Sequence, residues 1–300
     1  MRRRGGAADD GPRMSSAGST STLSTFTASD GDNLAVQDWP LPEEHALRGV
    51  VLIVHGLGEH AGRYERVAQR LNQWGFAVRG YDQFGHGESG GARGALSSSN
   101  RLVDDLADLV ESTRARTPDG VPLILLGHSL GGLVAASYAA WHPHALDGLI
   151  LSSPALALRL SAPQKLLLRT LPRVAPNVRV GNGVQPQYLS HDPEVERAYR
   201  ADALVHDRIG ARLAQFIADT GPAVVAQAAH WVVPTLLMYA GQDLLVDPRG
   251  SRDFAAAAPA QVVTSHCFED LYHEILNERD ADPVFDALRR WLDQRCAPPA

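Results

Sequence analysis

The chain has 300 residues, of which 44% are hydrophobic and 21% are charged, and its formal net charge at pH 7 is −6. A chain of this length can bury about three quarters of its unfolded surface, so its core needs no disulfide or metal to hold it together. The negative charge argues against nucleic-acid binding. Cys267 and Cys296 are too few for a disulfide framework and show no zinc-ligand spacing with histidine. We therefore expect free thiols in a reducing compartment, no metal and no cofactor.

Residues 1–22 begin with three arginines close together, but no apolar stretch of the kind found in a signal peptide follows them. We expect this segment to be a disordered leader, and Met14 is a second candidate for the translation start. No apolar run in the chain reaches the roughly 18 residues that a membrane span needs. These features predict a cytoplasmic protein.

Strand and helix patterns alternate along most of the remaining chain. Two short strands flank a DGD turn at residues 30–32. The strand patterns lie at 25–28, 33–37, 50–54, 76–81, 123–126, 149–151, 235–239 and 262–264, and the helix patterns at 64–74, 101–116, 130–141 and 283–294. Such alternation is typical of βαβ units, so we predict an α/β fold with a mostly parallel twisted sheet and helices on both faces.

The alternation stops between about residues 154 and 233, where the sequence shows no strand pattern. We therefore divide the chain into a core of residues 23–154 and 233–296 and an inserted helical cap of residues 155–232. Open α/β sheets bind their ligands at the carboxyl ends of the strands, so the cap should cover that edge of the sheet.

Residues 127–131 (GHSLG) match the pattern G-x-S-x-G directly between a buried strand and an Ala-rich helix. A nucleophile elbow of this kind holds its serine in a strained turn with Oγ exposed, and the flanking glycines avoid steric clashes. The motif predicts that Ser129 is a nucleophile. Residues 87–91 (GESGG) match the same pattern, but no strand ends directly before them and no helix pattern follows. We therefore interpret Ser89 as an ordinary loop residue.

A serine nucleophile needs a base that takes its proton and an acid that orients the base. In hydrolases with such an elbow, the chain order is Ser, then Asp or Glu, then His. Asp243 and His273 follow Ser129 in that order, and each lies in a loop after a predicted strand. We predict that these three residues form a catalytic triad. Asp247 is the alternative acid, and Asp243 is preferred because it lies nearer the strand end.

The tetrahedral intermediate of acyl transfer needs two N–H donors for its oxyanion. We expect one from the backbone of Leu130, directly after the nucleophile, and the other from Leu57, in the loop after the strand at 50–54. Taken alone, the loop at 55–58 (HGLG) is equally typical of a strand-to-helix turn without a chemical role.

Four segments together resemble the monoacylglycerol lipase and lysophospholipase family of α/β-hydrolases, within the serine aminopeptidase S33-like superfamily. The segments are 55–64 (HGLGEHAGRY), 82–89 (DQFGHGES), 127–132 (GHSLGG) and 243–247 (DLLVD). The resemblance extends from about residue 24 to 291 and implies an α/β-hydrolase fold with a mobile cap and an acyl tunnel. It also implies that the protein hydrolyses the ester bond of monoacylglycerols through a Ser-Asp-His acyl-enzyme mechanism. The alternatives are a lysophospholipase or other carboxylesterase and, less favoured, a proline-iminopeptidase-type peptidase or a non-catalytic binding protein.

The same resemblance implies that Glu59, Arg63 and His128, with Tyr199 from the cap, lie near the glycerol end of the substrate. For Glu59 and Arg63, an i, i+4 ion pair that stiffens the loop is an equally good interpretation. Some relatives carry a second histidine three residues after the catalytic one, where this chain has Leu276. We therefore expect the glycerol to be recognised more weakly or by a different arrangement of polar groups.

Residues 156–180 of the cap are rich in leucine and contain no acidic residue. The basic residues in this segment are Arg159, Lys165, Arg169, Arg173 and Arg179. A basic amphipathic segment is typical of membrane-surface binding. A cap that packs its leucines against its own core, with the arginines in solvent, is the alternative interpretation. The expected partners are a small lipid ester and, transiently, a membrane surface, but no nucleic acid.

Overall fold

The structure of the chain is a computed structural model that describes residues 21–159, 162–175 and 178–296. Positions 1–20 of the predicted leader lie outside the described residues. The ten strands of the described residues are β1 (Thr22–Thr27), β2 (Asn33–Trp39), β3 (Gly49–Val54), β4 (Phe76–Tyr81), β5 (Leu123–His128), β6 (Gly148–Ser152), β7 (Arg179–Gly181), β8 (Arg208–Gly210), β9 (Thr235–Ala240) and β10 (Val263–Phe268). Their eight α-helices are α1 (Glu65–Gln73), α2 (Arg101–Arg116), α3 (Leu130–Trp141), α4 (Ala162–Val174), α5 (Pro193–Ala201), α6 (Ala211–Gln227), α7 (Pro248–Ala257) and α8 (Asp282–Arg295).

Eight of these strands form one sheet in the order β1-β2-β4-β3-β5-β6-β9-β10. The strand β2 pairs antiparallel with both β1 and β4. All other neighbours in the sheet are parallel. This topology confirms the predicted α/β fold with a mostly parallel sheet.

Helices cover both faces of the sheet, as predicted. The helices α1 and α8 pack on one face through residues such as Leu71 and Phe285. The helices α2, α3, α6 and α7 lie on the other face and bury residues such as Leu106, Val134 and Phe254. Because the central strands are covered on both sides, they are continuous apolar runs and show no alternation between apolar and polar residues.

The chain between β6 and β9 contains α4, β7, α5, β8 and α6. The strands β7 and β8 pair antiparallel as a small ribbon, with Val180 opposite Ile209. The expectation that this insertion contains no strands is therefore wrong. Strands of three residues are too short to show an alternating pattern, and the two partners lie far apart in the sequence. The division of the chain into a core and a separate cap stays a prediction.

The carboxyl ends of the central strands meet at one edge of the sheet. Val54 at the end of β3 lies opposite Gly127 in β5, and His128 lies opposite Ser152 at the end of β6. The strands β9 and β10 run in the same direction as these three. The loops that follow all five strands therefore converge at this edge. Among the described residues, no helix combines the length and the apolar character that crossing a lipid bilayer would require.

Candidate active site

Ser129 lies at the turn between β5 and α3, with a φ of 53° and a ψ of −117°. L-amino acids rarely adopt this backbone conformation, which costs on the order of 1–3 kcal/mol. A Cβ atom on Gly131 would lie 2.1 Å from the carbonyl oxygen of Val54, and one on Gly127 would lie 2.4 Å from the carbonyl oxygen of Gly131. The N–H of Ser129 donates to the carbonyl oxygen of Ser152 at 3.0 Å. The turn therefore has the steric features of a nucleophile elbow.

Asp243 and His273 meet at the sheet edge, with His273 Nδ1 2.6 Å from Asp243 Oδ2. The other carboxylate oxygen, Oδ1, accepts hydrogen bonds from the N–H groups of Leu245 and Val246, both at 2.9 Å. An ionised carboxylate accepts only, so Nδ1 of His273 carries the proton in this pair. This leaves Nε2 as the basic nitrogen of the imidazole.

The electrostatics of this pair favour an ionised acid and a more basic histidine. Burial opposes the charged form of His273, but the negative charge of Asp243 and its hydrogen bond raise the pKa of His273 above its ordinary value. Burial likewise opposes ionisation of Asp243, but His273 and the two backbone N–H donors lower its pKa below the ordinary value. Asp243 therefore stabilises the imidazolium that forms when His273 takes up a proton.

Asp247, the alternative acid, has a different structural role. It is the N-cap of α7, where its Oδ1 accepts a hydrogen bond from the N–H of Arg249 at 3.1 Å. Its Oδ2 also forms an ion pair with the guanidinium of Arg249 at 2.5 Å. The hydrogen bonds of this carboxylate therefore cap a helix, and the imidazole of His273 is bound by Asp243.

Ser89, the second serine in a G-x-S-x-G match, is buried and its hydroxyl has two backbone partners. Its Oγ donates to the carbonyl oxygen of Asp82 at 2.5 Å and accepts from the N–H of Ala35 at 2.8 Å. The hydroxyl therefore ties the loop after β4 to β2, in agreement with the interpretation of Ser89 as a loop residue.

A cavity of about 430 Å³ opens beside Ser129. Much of its wall is apolar and comes from both the core and the insertion, including Leu158, Leu168, Val184, Leu189, Ile217 and Val246. Eight of the nine predicted site residues line this cavity: Leu57, Glu59, Arg63, His128, Ser129, Leu130, Tyr199 and His273. The ninth, Asp243, is not in the lining and contacts His273.

The predicted oxyanion donors, Leu57 and Leu130, lie in the same cavity wall as Ser129. In the part of the chain that the structure describes, neither of their backbone N–H groups donates a hydrogen bond to another protein atom. Leu130 is the first residue of α3, and the first N–H groups of a helix have no partner within it. Both amides are therefore free to bind an oxyanion.

Glu59 holds the loop that carries Leu57. One carboxylate oxygen, Oε1, accepts from the N–H of Gly56 at 2.5 Å and from the hydroxyl of Tyr64 at 2.7 Å. The other oxygen accepts from the guanidinium of Arg63, so the i, i+4 ion pair predicted from the sequence is present. Burial opposes ionisation of Glu59, but its neighbours, above all Arg63, lower the pKa of its carboxyl to about 2. Glu59 is therefore an anion in the cavity wall.

Glu274, directly after His273, is a cavity residue that the sequence analysis missed. Arg63 Nη1 and Nη2 donate to its two carboxylate oxygens at 2.7 and 2.9 Å. Asn277 Nδ2 donates to the same carboxylate at 2.9 Å. Arg63 and Glu274 are 211 positions apart in the chain, so no local pattern indicates this ion pair. The only available signal is that an acidic residue adjoins the histidine of the predicted triad.

His128 and Tyr199 complete the polar part of the cavity wall. The His128 ring lies 4.8 Å from the His273 ring, and its Nδ1 is 3.2 Å from Ser152 Oγ. Burial and the neighbouring His273 lower the pKa of His128 to about 4, so its imidazole is neutral at pH 7. The guanidinium carbon of Arg63 lies over the ring of Tyr199 in α5, 4.9 Å from the ring centroid. Burial raises the pKa of the Tyr199 hydroxyl.

The basic segment of the insertion, residues 156–180, has one arginine in the cavity wall and others at the surface. Arg159 lines the cavity and donates to the backbone carbonyl of Asp243 at 2.8 Å. Lys165 and Arg169 lie in α4, but their side chains are not among those that the structure describes. Arg173 and Arg179 are exposed. Three apolar side chains near them are also exposed: Val174 (79%), Val178 (44%) and Val180 (53%).

The two cysteines lie apart from the cavity. Cys267 and Cys296 are both free thiols, and neither lines the cavity beside Ser129. Within the described ranges, no cluster of three or more His, Cys, Asp or Glu side chains is arranged to hold a metal ion.

Comparisons with known proteins match most of this chain to hydrolases. Residues 45–280 match the family model described as "Serine aminopeptidase, S33". A monoacylglycerol lipase of Mycolicibacterium smegmatis is 35% identical over 82% of this chain and 88% of its own length. The phospholipase YtpA of Bacillus subtilis is 32% identical over 82% of this chain and 95% of its own length. The crystal structure of a Paleococcus ferrophilus monoacylglycerol lipase is 32% identical, covers 87% of this chain and 99% of that chain, and gives a TM-score of 0.79.

Proposed function

Because the chain belongs to the serine aminopeptidase S33 family of α/β-hydrolases and is a carboxylic ester hydrolase of its monoacylglycerol lipase-like branch, we propose that it cleaves monoacylglycerols into a fatty acid and glycerol. The observation that carries this proposal is the position of the elbow serine. Ser129 and His273 line one cavity with a long apolar wall and a cluster of polar groups. A monoacylglycerol has the same division into one acyl chain and one polar head.

In the proposed first step, His273 Nε2 takes the proton of Ser129 Oγ as the oxygen attacks the ester carbonyl carbon. The carbonyl π electrons move to the oxygen, and the N–H groups of Leu57 and Leu130 stabilise this oxyanion. When the carbonyl re-forms, the bond to the glycerol oxygen breaks and that oxygen takes the proton from His273. The products of this step are free glycerol and an acyl ester on Ser129.

In the proposed second step, a water molecule replaces the glycerol. His273 Nε2 takes a proton from the water as its oxygen attacks the acyl carbonyl, and the same two N–H groups bind the new oxyanion. Collapse of this intermediate breaks the acyl bond to Ser129 Oγ, which recovers its proton from His273. The fatty acid then leaves, and no metal or organic cofactor takes part in either step.

The apolar wall supports a preference for a single long acyl chain. Each buried methylene group contributes about 0.8 kcal/mol to binding, and the lining residues that supply this surface come from both the core and the insertion. A cavity of about 430 Å³ has room for one chain. The three chains of a triacylglycerol would not fit within it.

We expect the enzyme to prefer monoacylglycerols of medium to long chain over triacylglycerols, lysophospholipids and prolyl amides. The measurement is kcat/KM for a matched panel of these four substrates, with the same acyl chain in the three lipids. A higher value for the lysophospholipid would assign the protein to the phospholipase branch. Amide hydrolysis faster than ester hydrolysis would contradict the lipase assignment.

An aminoacyl substrate is the second candidate, because Glu59 and Glu274 place two carboxylates against one guanidinium beside His273. Aminopeptidases must bind the positive α-ammonium group of their substrate, and a surplus carboxylate is suited to that purpose. The prolyl amide in the panel tests this candidate. The apolar wall of the cavity favours the lipid.

We also propose that the insertion contacts a membrane surface through Val174, Val178 and Val180, with the basic residues around them facing anionic lipids. Replacing Val174 and Val180 by serine should weaken co-sedimentation with vesicles that contain anionic lipid, while hydrolysis of a short-chain, water-soluble ester stays at the wild-type rate. Val232→Ser removes an equally exposed valine outside this segment and is the matched control. Equal vesicle binding by all three proteins would exclude this surface as the contact.

A further inference from the structure

Three buried charged side chains lie together in the cavity wall next to His273. The side chains of Glu59 and Glu274 are each 5% exposed, and that of Arg63 is 11% exposed. Both carboxylates form ion pairs with the single guanidinium of Arg63. Two negative charges and one positive charge leave this Glu59–Arg63–Glu274 cluster with a surplus of one negative charge. Salt screens buried charges much less than exposed ones, so a substrate in the cavity would experience that surplus.

We propose that this surplus charge makes the enzyme select uncharged head groups over anionic ones, and that Glu274 is the residue that determines this selectivity. The inference rests on the proposed function and deepens it, because it names the class of head group that the site accepts. It separates two substrates that share the acyl chain and the ester bond, a monoacylglycerol and an acylglycerol phosphate.

Arg63 is the obvious residue to bind a phosphate, but three of its five N–H donors already bind Glu59 and Glu274. Its Nη1 donates to both Glu59 and Glu274, and its Nη2 donates to Glu274. One face of the guanidinium lies over the ring of Tyr199. A phosphate that took these three donors would displace the carboxylates, and a buried carboxylate without its partner is strongly unfavourable. A phosphate at the two remaining N–H groups would lie beside a guanidinium whose charge two carboxylates already outweigh. An anionic head group would therefore meet net repulsion at this cluster.

The other charged groups near the cavity do not remove this surplus. His128 is neutral at pH 7, and His273 is neutral in the form that takes the proton of Ser129. The ionised Asp243 behind His273 adds a further negative charge. Among the described residues that line the cavity, the one further charged side chain is Arg159. It donates to the backbone carbonyl of Asp243 and is exposed, so it leaves the carboxylates of the cluster uncompensated. Arg159 is, however, an alternative group for binding a phosphate, so the experiment must include a variant of it.

The experiment compares kcat/KM for a 1-monoacylglycerol and for the 1-acylglycerol 3-phosphate with the same acyl chain, both in micelles of a nonionic detergent. The wild-type enzyme should prefer the uncharged substrate. Glu274→Gln keeps a similar shape and removes the charge, and it should reduce this preference about 10- to 100-fold, mainly by raising the rate on the phosphate. This range corresponds to the interaction of two unit charges about 6–12 Å apart with an effective dielectric constant near 20.

Two further variants separate charge from structure. Glu274→Asp retains the negative charge and should keep the preference even if its rates fall. Glu196→Gln removes a carboxylate that pairs with Arg200 on α5 outside the cavity, and it should behave as wild type. Equal rates of the wild-type enzyme on both substrates would overturn the inference. It would also be overturned if Glu274→Gln left the preference unchanged while Arg159→Gln altered it.

Failure of the proposed function gives a different result. An enzyme that hydrolyses neither glycerol ester would refute monoacylglycerol as the substrate. The same variants would then be compared on a neutral aryl ester and on its sulfonated counterpart. Selectivity for the neutral aryl ester that depends on Glu274 would support the charge inference without the proposed substrate, and equal rates would overturn it.

Discussion

Replacing Ser129 by alanine should lower the rate of ester hydrolysis about 10⁶-fold, the scale of loss found when a triad nucleophile is removed. The variant keeps the cavity and the two free N–H donors of Leu57 and Leu130, but it has no oxygen that can form the acyl-enzyme. The measurement is kcat on a soluble acyl ester, combined with mass spectrometry of protein treated with an organophosphate. Wild-type protein should gain the mass of one dialkylphosphoryl group at Ser129 as the leaving group of the organophosphate departs, and the variant should not.

Ser89→Ala is the matched control, since Ser89 also lies in a G-x-S-x-G match. Its hydroxyl makes two backbone hydrogen bonds, each worth about 0.5–1.5 kcal/mol of stability, so the variant should unfold at a lower temperature. Its kcat per folded molecule should remain near that of the wild type. A large loss of kcat in Ser89→Ala with an active Ser129→Ala would show that the elbow assignment is wrong.

Asp243→Asn should lower kcat/KM about 10⁴-fold, the loss measured for the equivalent change in a comparable triad. The side-chain amide can donate a hydrogen bond to His273 Nδ1, which favours the imidazole tautomer with the proton on Nε2. That tautomer cannot take a proton from Ser129. The variant also removes the negative charge that stabilises the imidazolium during the reaction.

The pH profile gives this prediction a second readout. His273 must be neutral to act as a base, so kcat/KM should fall as the pH decreases through the pKa of His273. Asp243 raises that pKa above its ordinary value, whereas burial lowers it. Asp243→Asn removes the largest of the effects that raise this pKa, while burial still lowers it, so the acid limb of the profile should move to lower pH.

Asp247→Asn serves as the control for both readouts. An asparagine can still cap α7, so a modest loss of stability from the broken ion pair with Arg249 is the expected effect. The acid limb should stay where it is in the wild type. Identical kinetic losses in the two variants would mean that neither carboxylate is uniquely the orienting acid.

The sequence by itself determined the strands of the main sheet, four of the helices around it and the order of the residues in the site. The elbow could be recognised because its requirements are local: a buried strand, two glycines around Ser129 and a helix. Asp243 and His273 could be selected because each follows a strand, and the carboxyl ends of parallel strands meet at one edge. The ribbon of β7 and β8 escaped prediction because strands of three residues have no readable period and pair across a long stretch of chain.

Only the tertiary structure decided which side chains share a partner. Asp243 binds His273 and Asp247 caps α7, although both lie in the same short segment. Arg63 binds Glu274 across 211 positions, and this ion pair turns a local i, i+4 pair into a cluster with surplus negative charge. The partners of a loop side chain depend on how separate loops pack at the sheet edge. Residue spacing along the chain does not predict that packing. The net charge beside the nucleophile is therefore a property of the folded chain.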